Sequence, residues 1–271
     1  MNRRISFCVK VGNLEIGGSA PISVQSMLNT PAHDIDASVK QALALEAVGC
    51  DIIRAAVPDM ESVKLISALK ENLSVPIVAD IHFDYKLALE SVAAGVDKVR
   101  INPGNIGDES RVKAVASACK TAGVPIRVGV NSGSVEKEIL AKHGSPTAEA
   151  LFESGMYHIK LLEKFDFEDI ILSLKASDTA RMFEAYKFAA ENCDYPLHLG
   201  VTEAGTKSMG IIKSAAGIGG LLLNGIGDTL RVSLTDDPVP EVREGRAILH
   251  ALGLENKNYI NIVSCPPCGS T

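Results

Sequence analysis

The chain has 271 residues, 33 acidic against 27 basic side chains, a formal charge of −6, 46% hydrophobic residues and no Trp. That apolar content excludes a disordered chain, and the acidic balance with 4% aromatics argues against a dedicated nucleic-acid binder. No apolar run reaches the ~18 residues of a membrane span. The start, Met1-Asn2-Arg3-Arg4, lacks a signal peptide's apolar stretch, so the expectation is a cytoplasmic protein.

Residues 7–11 and 14–16 flank Gly12-Asn13, which predicts a small hairpin. One pattern then repeats eight times: a short run rich in Val and Ile, a polar stretch, and a helical segment. Predicted strands cover 22–27, 51–58, 76–83, 98–105, 125–134, 169–177, 196–205 and 229–238. The first helix carries a stripe of Ile35, Val39, Ala42, Leu43 and Ala47, opened by Asp34 as N-cap and stopped by Gly49. Segments 61–73, 85–94, 110–122 and 179–192 repeat the theme, and the long fifth interval holds an extra helical stretch over 146–164. The seventh interval is rich in glycine from Gly217 to Gly227, which suits close helix packing or a phosphate cradle.

Continuous apolar strands alternating with helices mean parallel strands covered on both faces. Eight such units fit an α/β fold of the (β/α)8 barrel type, typically about 250 residues, with the N-terminal hairpin at its bottom. An open doubly wound sheet is the rival, but no GxGxxG turn follows the first strand. The barrel is expected to span 1–254, with a polar exit linker and a CxxC segment over 255–271.

In such barrels the chemistry sits at the C-terminal ends of the strands. Those ends carry Arg54; Asp80 and His82; Arg100, Asn102 and Asn105; Arg127 and Asn131; Lys175 and Ser177; His198, Thr202 and Glu203; Arg231 and Ser233. Many are i, i+2 pairs, which strand alternation points to one face. Four of the ten arginines thus lie inside apolar strands, and Lys175 makes a fifth cation. Each base could pair with a carboxylate such as Asp51, Asp80, Glu203 or Asp228. For all five the strand ends offer too few acids, so the five read together as a polyanion site, a diphosphate suiting them better than one carboxylate. His82 beside Asp80 reads as a positioned proton donor. His198 reads as a ligand contact or as a hydrogen-bonded core residue. Lys175, buried among cations, could alternatively form a Schiff base.

Cys8, Cys50, Cys119 and Cys193 are scattered singly, and those of the helical segments read as small buried hydrophobes. Cys265 and Cys268 form a CxxC in a Pro-rich turn, spacing that lets two thiolates meet one metal or cluster.

The segments Val24-Gln25-Ser26-Met27-Leu28-Asn29-Thr30, Val78-Ala79-Asp80-Ile81-His82-Phe83-Asp84-Tyr85, Arg100-Ile101-Asn102-Pro103-Gly104-Asn105-Ile106-Gly107, 197–205 and 225–233 resemble the 4-hydroxy-3-methylbut-2-enyl diphosphate synthases, iron–sulfur oxidoreductases of isoprenoid biosynthesis. The resemblance covers essentially the whole chain. It implies a barrel that binds 2-C-methyl-D-erythritol 2,4-cyclodiphosphate and a smaller C-terminal domain with a 4Fe–4S cluster on three cysteines and a glutamate. It implies flavodoxin or ferredoxin as electron donor, and a homodimer in which one chain's cluster domain closes over the other's barrel.

On that resemblance, Asp80, His82 and Glu203 are the catalytic candidates. Arg54, Arg100, Asn102, Arg127, Asn131, Lys175, Ser177, His198, Arg231 and Ser233 would hold the substrate, and Cys265 and Cys268 would be the first two cluster ligands. The remaining ligands have no counterpart before Thr271, so the expectation is a barrel portion with an incomplete ligand set, inactive alone. The competing readings are a phosphosugar aldolase-like or pterin-type barrel with Lys175 as covalent nucleophile, and a non-catalytic ligand-binding barrel with structural zinc at the CxxC.

Overall fold

The computed structural model describes residues 2–235 and 237–255. Strands β1 (Val9–Val11) and β2 (Leu14–Ile16) form the antiparallel hairpin predicted around Gly12-Asn13. Eight parallel strands build the barrel wall: β3 (Ser23–Met27), β4 (Ile52–Ala56), β5 (Ile77–Asp80), β6 (Lys98–Ile101), β7 (Ile126–Asn131), β8 (Ile170–Lys175), β9 (His198–Leu199) and β10 (Thr229–Leu230). They lie in the order β8-β7-β6-β5-β4-β3-β10-β9, and a parallel bridge from Leu172 to Leu197 joins the two ends. The Tyr186 hydroxyl reinforces that seam. It accepts from the Leu174 N–H at 3.0 Å and donates to the His198 carbonyl. The architecture is therefore the (β/α)8 barrel read from the sequence.

Helices α1 (Ile35–Ala47), α2 (Val63–Asn72), α3 (Tyr85–Ala93) and α4 (Glu109–Ala122) come after the first strands of the barrel. The next are α5 (Lys137–His143), α6 (Ala148–Glu163), α7 (Thr179–Asn192), α8 (Lys207–Leu223) and α9 (Pro238–Ala251). Asp34 caps α1 as predicted, accepting from the Ala37 N–H. Two helices lie between β7 and β8, and the additional one is α5, upstream of the predicted 146–164 stretch that became α6. The glycines of the seventh interval serve packing: a Cβ at Gly217 would stand 2.5 Å from Met182 and 2.9 Å from Thr179 on α7.

Strand alternation divides the barrel into two environments. Val24, Ile53, Ala79, Val99, Ile126, Val128, Leu172, Leu197, Leu199 and Leu230 point outward into the helix layer, where they form the main apolar core. Ile52, Val78 and Ile171 point inward and pack against Val9, Val11 and Ile16 of the hairpin. The hairpin thus seals the bottom of the barrel with apolar side chains. Above that seal the inward positions are polar: Gln25, Lys98, Arg127, Ser173, His198 and Thr229, all buried.

The predicted strands are longer than the observed ones at their C-terminal ends. The predicted 196–205 contracts to two residues and 229–238 to two. Each of these short strands gives way to a loop, and those loops carry functional groups. The expected boundary at 254 falls at the edge of the described residues, and the CxxC segment lies outside them.

Candidate active site

At the C-terminal mouth, Arg54, Arg100, Arg127, Lys175 and Arg231 line one cavity of about 90 Å³ together with Gly129, Asn131, Ser173, Thr202 and Ser233. All five predicted cations converge there. Larger clefts exist, including one of about 480 Å³ near the hairpin, but that one is lined by Lys10, Asp51 and Arg246 without a convergent charge.

Two carboxylates organise three of the five cations. Asp80, with its carboxylate fully buried, meets Arg54 Nη2 at 2.8 Å, Arg100 Nη1 at 3.3 Å and His82 Nε2 at 3.3 Å. Burial alone would push the Asp80 carboxyl up; Arg54, a hydrogen bond from His82, and Arg100 outweigh it and hold it well below the usual carboxylate range. Arg100 also donates to the Gly129 carbonyl at 3.1 Å, while Asn102 Oδ1 accepts from the Gly129 N–H at 3.1 Å. Gly129 is required by space: a Cβ there would stand 2.9 Å from Arg100 Nε. Gly200 lies against Lys175, a Cβ there falling 2.8 Å from Nζ.

Glu241, on α9, is the second carboxylate. It meets Arg231 Nε at 3.3 Å and accepts from Ser26 Oγ at 3.1 Å and from the Leu234 N–H at 2.9 Å. Sequence reading missed this acid because it belongs to a helix after the last strand. It also named acids that lie elsewhere: Asp51 pairs with Arg246, and Asp228 with Arg3 near the hairpin end.

Arg127 and Lys175 have no carboxylate partner among the described residues. Arg127 Nε and Nη1 are buried and make no hydrogen bond. Burial, then Arg54 and Arg100, push its pKa down, yet a guanidinium starts high enough to stay charged at neutral pH. For Lys175, burial and then Arg127, Arg231, Arg54 and Arg100 push the amine well below the lysine range.

The other predicted residues divide. Asn131 and Ser233 line the cavity, as does Thr202. His82 is exposed at the rim above Asp80. Asn102 is buried and supports Gly129 instead of lining the cavity. Ser177 is half-buried past the end of β8 and also lies off the cavity. Glu203 is exposed, in the left-handed region at φ 51°, and outside the lining. His198 is fully buried inside the barrel. Burial, then Arg127, Lys175, Lys98 and Arg54, push its pKa well below the usual imidazole value. Ser173 and Lys98 were missed. Lys98 lies two residues before Arg100, so the alternation that revealed Arg100 also marks Lys98 as inward-facing.

Fold and site together define a (β/α)8 barrel with five basic side chains converging at its mouth. The family model described as the GcpE TIM-barrel domain matches residues 6–246. The 4-hydroxy-3-methylbut-2-en-1-yl diphosphate synthase (flavodoxin) of Caldanaerobacter subterraneus subsp. tengcongensis is 56% identical over 269 residues, 99% of this chain and 76% of that protein. The protein of the same name from Fusobacterium nucleatum is 56% identical over 97% of this chain and 74% of its own length. The chain belongs to this family, that of the GcpE TIM-barrel domain and the 4-hydroxy-3-methylbut-2-en-1-yl diphosphate synthases. Among solved structures, dihydropteroate synthase from Xanthomonas albilineans superposes with a TM-score of 0.67 at 15% identity, over 93% of this chain and 99% of that one. Type I 3-dehydroquinate dehydratase from Clostridium difficile superposes with 0.66 at 14% identity, over 91% and 98%. These two likenesses show the fold alone.

Proposed function

We propose that this barrel binds 2-C-methyl-D-erythritol 2,4-cyclodiphosphate and serves its reductive ring opening and dehydroxylation to 4-hydroxy-3-methylbut-2-enyl diphosphate. The observation that carries this reading is the mouth itself: five convergent cations against two carboxylates, in a chain of this family. More basic groups than acids meet at the mouth, which suits a diphosphate. Arg127 and Lys175, with no acid partner among the described residues, would take the phosphate oxygens directly. Arg54 and Arg100, aligned by Asp80, and Arg231, aligned by Glu241, would present guanidinium edges in fixed directions. Asn131, Thr202 and Ser233 would orient the remaining oxygens, and His82 at the rim would move a proton to or from a hydroxyl.

A 4Fe–4S cluster would supply the electrons for such a reaction. The described residues do not fit one: no group of three or more His, Cys, Asp or Glu side chains among them could hold a metal. Cys50 and Cys119 are isolated in the core, and burial pushes each thiol up to about 12. Cys265 and Cys268, the cluster ligands the resemblance implies, lie outside the described residues. Flavodoxin as donor is supported by the names of the relatives, and the homodimer by the resemblance. Among the described residues no helix is long and apolar enough to cross a membrane.

The test is anaerobic calorimetric titration of the chain with the cyclic diphosphate at two salt concentrations. Binding that weakens with salt, and that Arg127→Met weakens strongly, supports the reading. A folded chain that shows no heat of binding overturns it. The Schiff-base alternative predicts borohydride trapping of a carbonyl ligand at Lys175; the diphosphate reading predicts none.

A further inference from the structure

Beneath the basic side chains that line the mouth lies a further buried lysine, outside the cavity lining. Lys98 on β6 has no exposed surface, and its Nζ makes no hydrogen bond. Every strand around the barrel supplies a neighbour to this interior. Arg54 comes from β4 and Asp80 from β5. Arg100 shares the face of β6, Arg127 is on β7, and Ser173 and Lys175 are on β8. Gln25, His198 and Thr229 come from β3, β9 and β10. Only Asp80 among them is a carboxylate, and Arg54, Arg100 and His82 already hold it.

The uncharged neighbours are distinctive. Both polar atoms of the Gln25 amide, both His198 ring nitrogens and Thr229 Oγ1 are buried without a hydrogen-bond partner. Each of these groups can donate to a neutral amine or accept from an ammonium. The Lys98 amine itself has no hydrogen-bond partner, so among the described residues neither an acid nor an acceptor fixes it in the charged form.

We propose that Lys98 is a charge-compensating residue: its amine is neutral in the ligand-free barrel and takes a proton from solvent when a diphosphate fills the mouth. This rests on the diphosphate reading of the site. Burial, then Arg127 and Arg54, push the Lys98 amine well below the lysine range, in line with a neutral resting state. Negative charge brought in above it reverses the balance. The proton adds to the Nζ lone pair, no other bond changes, and the buffer supplies it. Ring opening then frees a terminal phosphate, adding about one further negative charge that a protonated Lys98 is placed to offset. Lys98 acts through the field it adds beneath Arg127 and Lys175, so it is a positioning residue and makes no ligand contact.

The experiment is titration calorimetry with inorganic pyrophosphate at pH 7.5 in buffers of different ionisation enthalpy. It compares the full chain with Lys98→Met and Lys175→Met. The slope of apparent enthalpy against buffer enthalpy counts protons exchanged, and the difference between chains cancels the ligand's own titration. The expected result is about one proton fewer taken up by K98M, with binding retained but weakened roughly tenfold. The wild-type affinity should also fall with rising pH more steeply than that of K98M. K98M should fold at least as stably as the parent, since it removes an unpaired buried amine; Lys98→Gln gives the same comparison by a second route. Equal proton counts in wild type and K98M, or a loss confined to K175M, overturn the proposal while the phosphate site stands. Pyrophosphate and the cyclic diphosphate both failing to bind folded wild type removes the site reading, and the proposal with it.

Discussion

Replacing Asp80 by Asn separates two roles that one carboxylate plays. Its oxygens touch Arg54, Arg100 and His82 at 2.8, 3.3 and 3.3 Å with no exposed surface. Removing one partner of a buried ion pair typically costs about 3–5 kcal/mol, because the remaining charges stay buried and unpaired. At about 2.1 cal/mol/K of unfolding entropy per residue, a chain of this length loses roughly 2 °C per kcal/mol, so the melting midpoint should fall by roughly 6–10 °C. The folded-state pKa of Asp80 is depressed, so its contribution is complete above about pH 4 and lost as pH falls below that. D80N should therefore flatten the acid limb of the stability profile. Ligand affinity should move the other way. At an effective dielectric constant of about 20, like unit charges about 4 Å apart repel by ~4 kcal/mol, falling with distance, so a buried carboxylate beside the mouth opposes each phosphate charge. Water in the open mouth and looser arginines erode that, leaving about a tenfold gain in pyrophosphate affinity. Calorimetry and thermal unfolding on the same preparation decide it. A variant that loses both stability and affinity would show that Asp80 aligns the arginines more than it dampens their charge, refuting the electrostatic argument.

Glu241→Gln should cost about 3 kcal/mol by leaving Arg231 buried without its acid, read as a lowered denaturant midpoint, and should shift ligand affinity less than Arg231→Met does. Tyr186→Phe strips the acceptor from the Leu174 N–H and a donor from the His198 carbonyl at the barrel seam; a loss of about 1–3 kcal/mol is expected, with faster amide exchange at Leu174. Ile16→Ala opens the hairpin seal and should lower stability by about 2–5 kcal/mol while leaving pyrophosphate affinity unchanged, since it lies at the opposite end from the mouth. The buried amines of Lys98 and Lys175 have folded pKa values well below those of the unfolded chain. The fold is therefore penalised at lower pH, and its stability rises with pH through the interval between the two values, by at most about 1.4 kcal/mol per pH unit for each lysine. Lys98→Met should remove one lysine's share of that slope in the ligand-free chain.

The barrel was legible because its signal is local and repeated. Each apolar run, bounded by turn residues and followed by a helical stripe, declares one β–α unit, and eight of them leave few topologies open. The five cations were legible for a related reason, since an arginine inside an apolar strand is costly unless something anionic meets it. The pairing stayed hidden. Asp80 lies 26 residues from Arg54 in sequence, and Glu241 belongs to a helix that strand reading never consulted. His198 and Glu203 both follow from the reading of strand ends. His198 is buried inside the barrel and Glu203 is exposed on the loop after β9, both outside the lining of the mouth cavity.

Depth in the barrel explains why this interior tolerates so much charge. Many barrels of this type fill all their layers with branched aliphatics. Here the hairpin provides the apolar seal at the bottom, through Val9, Val11 and Ile16 against Ile52, Val78 and Ile171. The helix layer supplies the main apolar core on the outside of the strands. With both apolar surfaces satisfied elsewhere, the upper interior is free to carry Lys98 and Arg127 below and Lys175, Arg54, Arg100 and Arg231 at the mouth. Such a layer is destabilising by itself, and two carboxylates offset only part of it. A polyanion that fills the mouth removes the remaining strain, so ligand binding and stability must be coupled. On the proposed reading, the same surplus charge that makes the empty barrel less stable would be the source of its affinity for a diphosphate, and saturating pyrophosphate should raise the melting midpoint of the wild type more than that of Arg127→Met.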